Sequence, residues 1–307
     1  MDLRTLRYFT VVARERNITR AAEKLNMSQP PLSHQIRCLE EELGVQLFIR
    51  GKRRLELTDD GVLLLRRANQ ILELTEKTAQ EMKERKNQVS GTLYLGLVEG
   101  RAPYLAANWI AGFRQRYPLV YYNLWNGSSD DVVDRLRQGL ADLAIVATPY
   151  DMERLDGFPV GDEPWCAILP RESPLAKEPG DAIPLQRLVG QPLIVPSRGS
   201  RVQAIRRWFQ EIGAEPDIRC TMSNYVDALA LTEQGVGISI FPQTTQTPSS
   251  LVRVKVITHP ARRAEYVLVW NREGPTSRMV GEFIAWVRQW TRDHPSMDEA
   301  ERGERIL

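Results

Sequence analysis

Two groups of residues near the start of the chain have types and spacing suited to a polyanion. Gln29, Pro30, Ser33, His34 and Arg37 share one side of a segment whose other side carries Leu32, Ile36, Leu39 and Leu43 at helical spacing. A helix showing amide, hydroxyl, imidazole and guanidinium groups near its N-terminal end has the chemistry to meet base edges and phosphates in a major groove. Just downstream, Arg50, Lys52, Arg53 and Arg54 place four cations within five residues, a positive density suited to DNA phosphates. Residue patterns for catalysis are missing. The three histidines, His34, His259 and His294, are scattered, and Cys38, Cys166 and Cys220 form no Cys-x-x-Cys motif. There is no Gly-x-Ser-x-Gly elbow and no phosphate loop of the GxxxxGK[ST] type, and Gly235-Val236-Gly237 precedes a strand instead of joining strand to helix. We therefore expect a protein that is not an enzyme, with no cofactor and no metal, and with cysteines that are reduced packing thiols.

The elements that must carry these groups can be read from periodicity. Leu3, Leu6, Phe9, Val12 and Ala13 make one helical face, and Ala21, Ala22 and Leu25 a second. Ser28 is placed to cap a third helix, with Pro30 and Pro31 tolerated in its first turn and Gly44 ending it. Leu47, Phe48, Leu55 and Leu57 flank the cations in strand-like spacing, which predicts a basic hairpin, or wing. From Thr58 to about Val89 there is no proline, and Leu64, Ala68, Ile71, Thr75, Thr78, Met82 and Val89 mostly keep alternating steps of four and three. Such a seam predicts a long helix that packs on a partner helix.

After Gly91 short apolar runs alternate with amphipathic segments. Leu93 to Leu97, Val120 to Leu124, Leu143 to Ala147, Cys166 to Leu169, Leu193 to Val195, Gly237 to Phe241 and Tyr266 to Trp270 read as strands. Tyr104 to Arg116, Ser128 to Gln138, Arg201 to Ile212, Tyr225 to Glu233 and Thr276 to Arg292 read as helices. The alternation predicts a mainly parallel α/β architecture, and the Pro/Gly/charge-rich stretch from Pro149 to Pro164 a crossing between two lobes.

Charge supports the same division. The 307 residues carry 41 Lys and Arg against 39 Asp and Glu, an ordinary globular balance. It is unevenly spread: residues 1–90 hold 17 cations and 13 anions, and the remainder 24 and 26. A small basic N-terminal module on a near-neutral body suits nucleic-acid binding. No stretch approaches the roughly 20 apolar residues of a membrane span, and the N-terminus lacks a signal-peptide core, so a cytoplasmic location without membrane partners is expected. The segment from Pro295 onward is charge-rich and poor in core residues, which predicts disorder.

These residues resemble the LysR-type transcriptional regulators. The resemblance rests on Ala21-Ala22, the run from Ser28 to Ser33, Leu39-Glu40, Leu43-Gly44, Leu47-Phe48 with Arg50, and Leu57-Thr58 with Gly61. It continues through Phe113, Pro118, Gly139, Asp142, Pro170, Pro174-Leu175 and Gly235-Val236-Gly237. The Gln-Pro-Pro-Leu-Ser version is similar to the branch that includes regulators of aromatic-acid and organic-acid metabolism. The resemblance implies an α/β protein in three parts. A winged helix-turn-helix would span 1–58 and a dimerising linker helix 59–90. A two-lobe domain like the periplasmic binding proteins would span 91–295, with lobe I about 91–162 and 268–295, lobe II about 163–267, and 296–307 as the tail. It also implies a homodimer or homotetramer on promoter DNA, with RNA polymerase as a partner.

Carried over by position, Gln29, Pro30, Pro31, Ser33 and His34 would face the major groove, with Arg37, Arg50, Lys52 and Arg54 nearby and Arg53 reaching the minor groove. In a two-lobe binding fold an anion sits at strand ends and helix N-termini. That places Gly100 and Arg101, Ser128 and Ser129, and Ser197, Arg198, Ser200 and Arg201 at an effector cleft, and their charge favours a small carboxylate. Relatives often have Ser or Thr where this chain has Gly100, and Arg where it has His34. The other readings are a redox-responsive regulator using Cys166 and Cys220, and a cytoplasmic small-molecule-binding protein.

Overall fold

The computed structural model describes residues 1–50, 55–83, 89–243, 249–272 and 277–294. They fall into two compact units, Met1–Asn87 and Gln88–Leu307.

The first unit contains α1 (Leu3–Glu15), α2 (Ile18–Lys24), α3 (Gln29–Leu43), β1 (Phe48–Arg50), β2 (Leu55–Leu57) and α4 (Asp59–Lys83). Asp2 and Asn17 cap α1 and α2, accepting the N–H groups of Thr5 at 2.7 Å and Arg20 at 3.1 Å. Ser28 holds the N-cap position of α3, but its hydroxyl makes no capping bond. A cap accepts from the second or third helical N–H, and here those positions are Pro30 and Pro31, which have none. Phe9, Leu32, Ile36, Leu39 and Leu47 are fully buried between the helices, with Phe9 against Phe48 at 5.4 Å. Glu40 fixes the hairpin to α3 by accepting the N–H groups of Leu47 (2.8 Å) and Phe48 (3.2 Å). β1 and β2 pair antiparallel, Phe48 opposite Leu57 and Arg50 opposite Leu55. Thr58 caps α4 through Gly61 N–H at 2.9 Å, and a Cβ on Gly61 would lie 2.2 Å from the Leu47 carbonyl oxygen, so only glycine fits there.

The seam expected on α4 is only partly used as predicted. Leu64 and Ala68 pack into this unit's own core, whereas Val62, Leu63, Ile71 and Leu74 are exposed. The helix is described to Lys83, and Val89 is not helical: it is buried in the core of the second unit, beside the strand that begins at Gly91. A continuous helix to residue 90 is thus corrected.

The second unit contains β3 (Gly91–Leu97), α5 (Ala102–Arg116), β4 (Val120–Asn126), α6 (Ser129–Arg137), β5 (Leu143–Ala147), β6 (Leu155–Pro170), α7 (Pro174–Lys177), β7 (Ala182–Pro184), β8 (Pro192–Pro196), α8 (Gly199–Glu211), β9 (Asp217–Met222), α9 (Tyr225–Glu233), β10 (Ile238–Pro242), β11 (Val252–Thr258), β12 (Arg263–Asn271) and α10 (Arg278–Asp293). The strand order is β4-β3-β5-β12-β6-β10-β8-β9, with β11 on β6 and β7 on β11. β3, β4 and β5 run parallel in one lobe, and β8, β9 and β10 in the other. β5, wholly buried, reads Leu-Ala-Ile-Val-Ala, the continuous apolar run of a strand covered on both faces.

Two antiparallel strands carry the chain between the lobes. β6 pairs with β12 from Leu155 to Pro164, then with β10 and β11 from Trp165 onward. The stretch from Pro149 to Pro164 is therefore largely strand, and the crossing itself lies near Pro164-Trp165 and Arg262-Arg263. Tyr266 and Val267, expected in lobe II, pack in the core of lobe I. A bulge on β6 near Gly161 shifts register at Tyr266. The architecture is mixed and not mainly parallel, because both crossing strands run antiparallel to their neighbours. β9 and β11 escaped sequence reading. β9 has few apolar residues, and β11 interleaves Arg253 and Lys255 with its valines.

Candidate effector site and DNA-facing helix

Between the lobes lies a cavity of about 680 Å³, at the C-terminal ends of parallel strands from both sides. Lobe I contributes the loops after β3 and β4, with Glu99, Gly100 and Asn126 to Asp131. Lobe II contributes Pro196 to Gly199 and Arg201 after β8, and Met222 to Tyr225 after β9. Trp165, Phe241 and Tyr266 add aromatic walls.

The predicted effector residues have different fates. Gly100, Ser128, Ser129, Ser197, Arg198 and Arg201 line the cavity; Arg101 and Ser200 do not. Arg101 is turned to the lobe crossing, where its Nη1 donates to the Asp162 carbonyl at 2.9 Å. The Ser200 hydroxyl is buried and has no hydrogen-bond partner among the described residues. The two lobe I serines are committed locally. Ser128 forms a capping box with Asp131, accepting Asp131 N–H at 3.2 Å and donating to Asp131 Oδ2 at 2.6 Å. Buried Ser129 donates to the Ala147 carbonyl at 3.2 Å, pinning α6 to β5.

Arg198 crosses the cleft to Asp130, and Glu99 crosses it the other way, its Oε2 accepting Tyr225 N–H at 3.0 Å. Arg201 differs from both. Its guanidinium lies 5.2 Å from the Trp165 ring centre, burial depresses its pKa, and no described carboxylate forms an ion pair with it. An anion entering the cleft would meet this cation.

Beneath the cavity, Tyr266 donates its hydroxyl to Glu163, and Arg101 N–H donates to the Tyr266 oxygen at 3.3 Å. Burial pushes the Glu163 carboxyl up to about 7, with the Tyr266 hydrogen bond and the Arg101 charge opposing it. This pair explains Gly100. Its φ is +89°, and a Cβ there would sit 2.5 Å from the Tyr266 hydroxyl, so the phenol fills the space a Ser or Thr side chain would need. No local pattern marks Glu163 and Tyr266, because the pairing of β6 with β12 brings together residues 103 apart in sequence.

The thiols stay apart. Cys166 lies on β6 and Cys220 on β9, with β10 and β8 between, so about 14 Å of strand spacing separates them, beyond disulfide reach. Burial pushes the Cys166 thiol up to about 12, which suppresses the reactive thiolate. Arg219, next to Cys220, directs its charge to Asp217 at 2.7 Å.

In the first unit, Gln29, Pro30, Pro31, His34 and Arg37 are exposed along α3, and Ser33 is half-buried beside them. The freed Ser28 hydroxyl is exposed at the same end. Lys52, Arg53 and Arg54 lie outside the described residues, as does the side chain of Arg50.

A three-helix core with a hairpin, followed by a two-lobe α/β domain, has known counterparts. Residues 3–62 match the bacterial regulatory helix-turn-helix protein, lysR family, and residues 86–292 the LysR substrate binding domain. The chain belongs to the LysR family. Among its relatives, the transcriptional regulator BsdA of Bacillus subtilis (strain 168) is 34% identical, over 80% of this chain and 84% of that protein. The Hca operon transcriptional activator HcaR of Escherichia coli (strain K12) is 33% identical, over 94% and 98%. The fold matches CbnR, a LysR family regulator solved in full length with its target DNA, with TM-score 0.77 at 24% identity over 94% of this chain and 99% of that one. This LysR-family protein is a DNA-binding transcriptional regulator with an effector-binding domain. Among its described residues, no helix is long and apolar enough to cross a membrane.

Proposed function

We propose that this LysR-type regulator reads a promoter through Gln29, Pro30, Pro31, Ser33 and His34, with Arg37, Arg50 and the wing cations Lys52, Arg53 and Arg54 on phosphates and the minor groove. Residues 1–58 form the DNA-binding part, the helix that starts at Asp59 the dimerising linker, and the two-lobe unit to about residue 295 the effector domain. The exposed apolar residues Leu63, Ile71 and Leu74 on α4 favour a homodimer, the building block of a tetramer. Its place of action is the cytoplasm, where it alters access of RNA polymerase.

The effector is a small organic acid bound between the lobes. One observation carries this reading: Arg201 is a partly buried cation at an aromatic-walled cavity, held against a ring face and within the field of Glu163 but, among the described residues, in no ion-pair contact. Coupling follows if the acid binds two arrangements of the lobes with different affinity. Thermal unfolding of the full-length protein against mono- and dicarboxylates, aromatic acids and phosphate esters tests it. A ligand at 100 times its Kd adds about 2.7 kcal/mol. A selective carboxylate shift that Arg201→Ala removes is the expected result; shifts from phosphate esters alone, or a carboxylate shift untouched by Arg201→Ala, would exclude this reading.

A further inference from the structure

The cavity is chemically lopsided, and the imbalance bears on what the acid must carry besides its carboxylate. Arg201 belongs to lobe II and offers a positive charge that has no ion-pair partner among the described residues. Glu99 belongs to lobe I. It lines the same cavity, keeps part of its surface open to it, and spends only Oε2 on Tyr225 N–H. Among the described residues no donor reaches Oε1. The remaining cavity charges are paired within the protein: Asp131 in the capping box, and Asp130 with Arg198, whose Nη1 alone keeps no partner among the described residues.

In the empty cleft, water can hydrate Oε1. A ligand that fills the cavity removes that water, and a carboxylate oxygen stripped of water without a replacement donor is costly. The charge of Glu99 also repels a second carboxylate, so an entering acid turns its anionic end to Arg201 and the rest of its body toward Glu99. Resting on the carboxylate reading above, we infer that Glu99 is a specificity-determining residue: the effector carries a carboxylate for Arg201 and, elsewhere on its body, a hydroxyl or amino group that donates to Glu99. Burial already raises the Glu99 pKa, as does the nearby Asp227 charge, and a ligand donor would offset that strain on the charged form.

The aromatic walls choose the probes. Isothermal titration of the full-length protein compares benzoate with its 2-, 3- and 4-hydroxy and amino derivatives, and with benzyl alcohol. At least one donor-bearing acid is expected to bind about tenfold or more tighter than benzoate. In Glu99→Ala that advantage disappears while benzoate binds at least as well as before. Glu99→Gln keeps the size and one acceptor, and is expected to retain part of the advantage if the alanine variant does not fold. Equal binding of benzoate and all its derivatives, or an advantage undiminished in the variants, overturns the inference and leaves the carboxylate reading standing. Failure of every acid to bind, or benzyl alcohol binding as well as the acids, removes both.

Discussion

Arg198 and Asp130 join the two lobes through a two-pronged ion pair, Nε donating to Oδ2 at 2.9 Å and Nη2 to Oδ1 at 2.6 Å. The partners are unequally exposed: the arginine side chain keeps 14% of its surface and the aspartate 66%, and Arg198 Nη1 is already buried without a partner among the described residues. Removing the aspartate strands a largely buried cation, whereas removing the arginine leaves a hydrated carboxylate. Asp130→Ala should therefore cost about 1–3 kcal/mol and Arg198→Ala less than about 1 kcal/mol. Urea unfolding of the two variants reads the difference; a larger loss in Arg198→Ala would contradict it.

Gly100 is held by the Tyr266 hydroxyl. Gly100→Ser adds a Cβ 2.5 Å from that oxygen at a φ of +89°. The expected loss is about 2–3 kcal/mol from strain and overpacking. Tyr266→Phe in the same chain removes the clashing oxygen and should recover part of it. Thermal melting of the single and double variants decides, and purely additive losses would show that the phenol is not what excludes the side chain.

Glu163 gives a pH dependence of definite sign. Its folded pKa of about 7 lies above the usual 4.5 because burial favours the neutral acid. Between those values the unfolded chain releases the proton that the folded one retains, so stability falls as pH rises from about 4.5 to 7 and levels off above. The full effect is at most about 3 kcal/mol. Glu163→Gln should remove this contribution, making the variant's pH–stability curve flatter over that interval; an identical slope would refute the assignment.

Ser28 and Asn17 occupy the same position on successive helices with different outcomes. Asn17 accepts a helical N–H at 3.1 Å, and Ser28 faces prolines that have none to donate. Asn17→Ala should cost about 1 kcal/mol and Ser28→Ala under about 0.5 kcal/mol. Chemical denaturation measures both, and a full capping loss at Ser28 would mean that its hydroxyl holds α3 by another bond.

Much of this protein was legible from local pattern. A helix places every third or fourth residue on one face, so the exposed side of α3 could be read from Gln29 to Arg37 without knowing what lay behind it. Apolar runs such as Leu143 to Ala147 announced buried strands for the same reason, and the loops following them located most of the cavity lining. The α4 seam misled because spacing shows that a face is apolar and not which core will cover it: Leu64 and Ala68 turned inward, and Val89 joined the core of the second unit.

Relationships that cross the sequence arise only on folding. Arg101 and Arg201 are both arginines beside predicted anion loops, yet one is spent on the Asp162 carbonyl and the other faces the cavity. Glu163 meets Tyr266 because antiparallel pairing of β6 with β12 sets them diagonally, Glu163 opposite Ala264 and Tyr266 opposite Gly161, and that pair in turn makes Gly100 obligatory. Glu99 reaches Tyr225 only because two lobes close on one another. Backbone periodicity is a short-range property carried by each segment alone; the pairing, desolvation and charge balance of a cleft arise when distant segments share one low-dielectric space, and no single stretch of the chain encodes them.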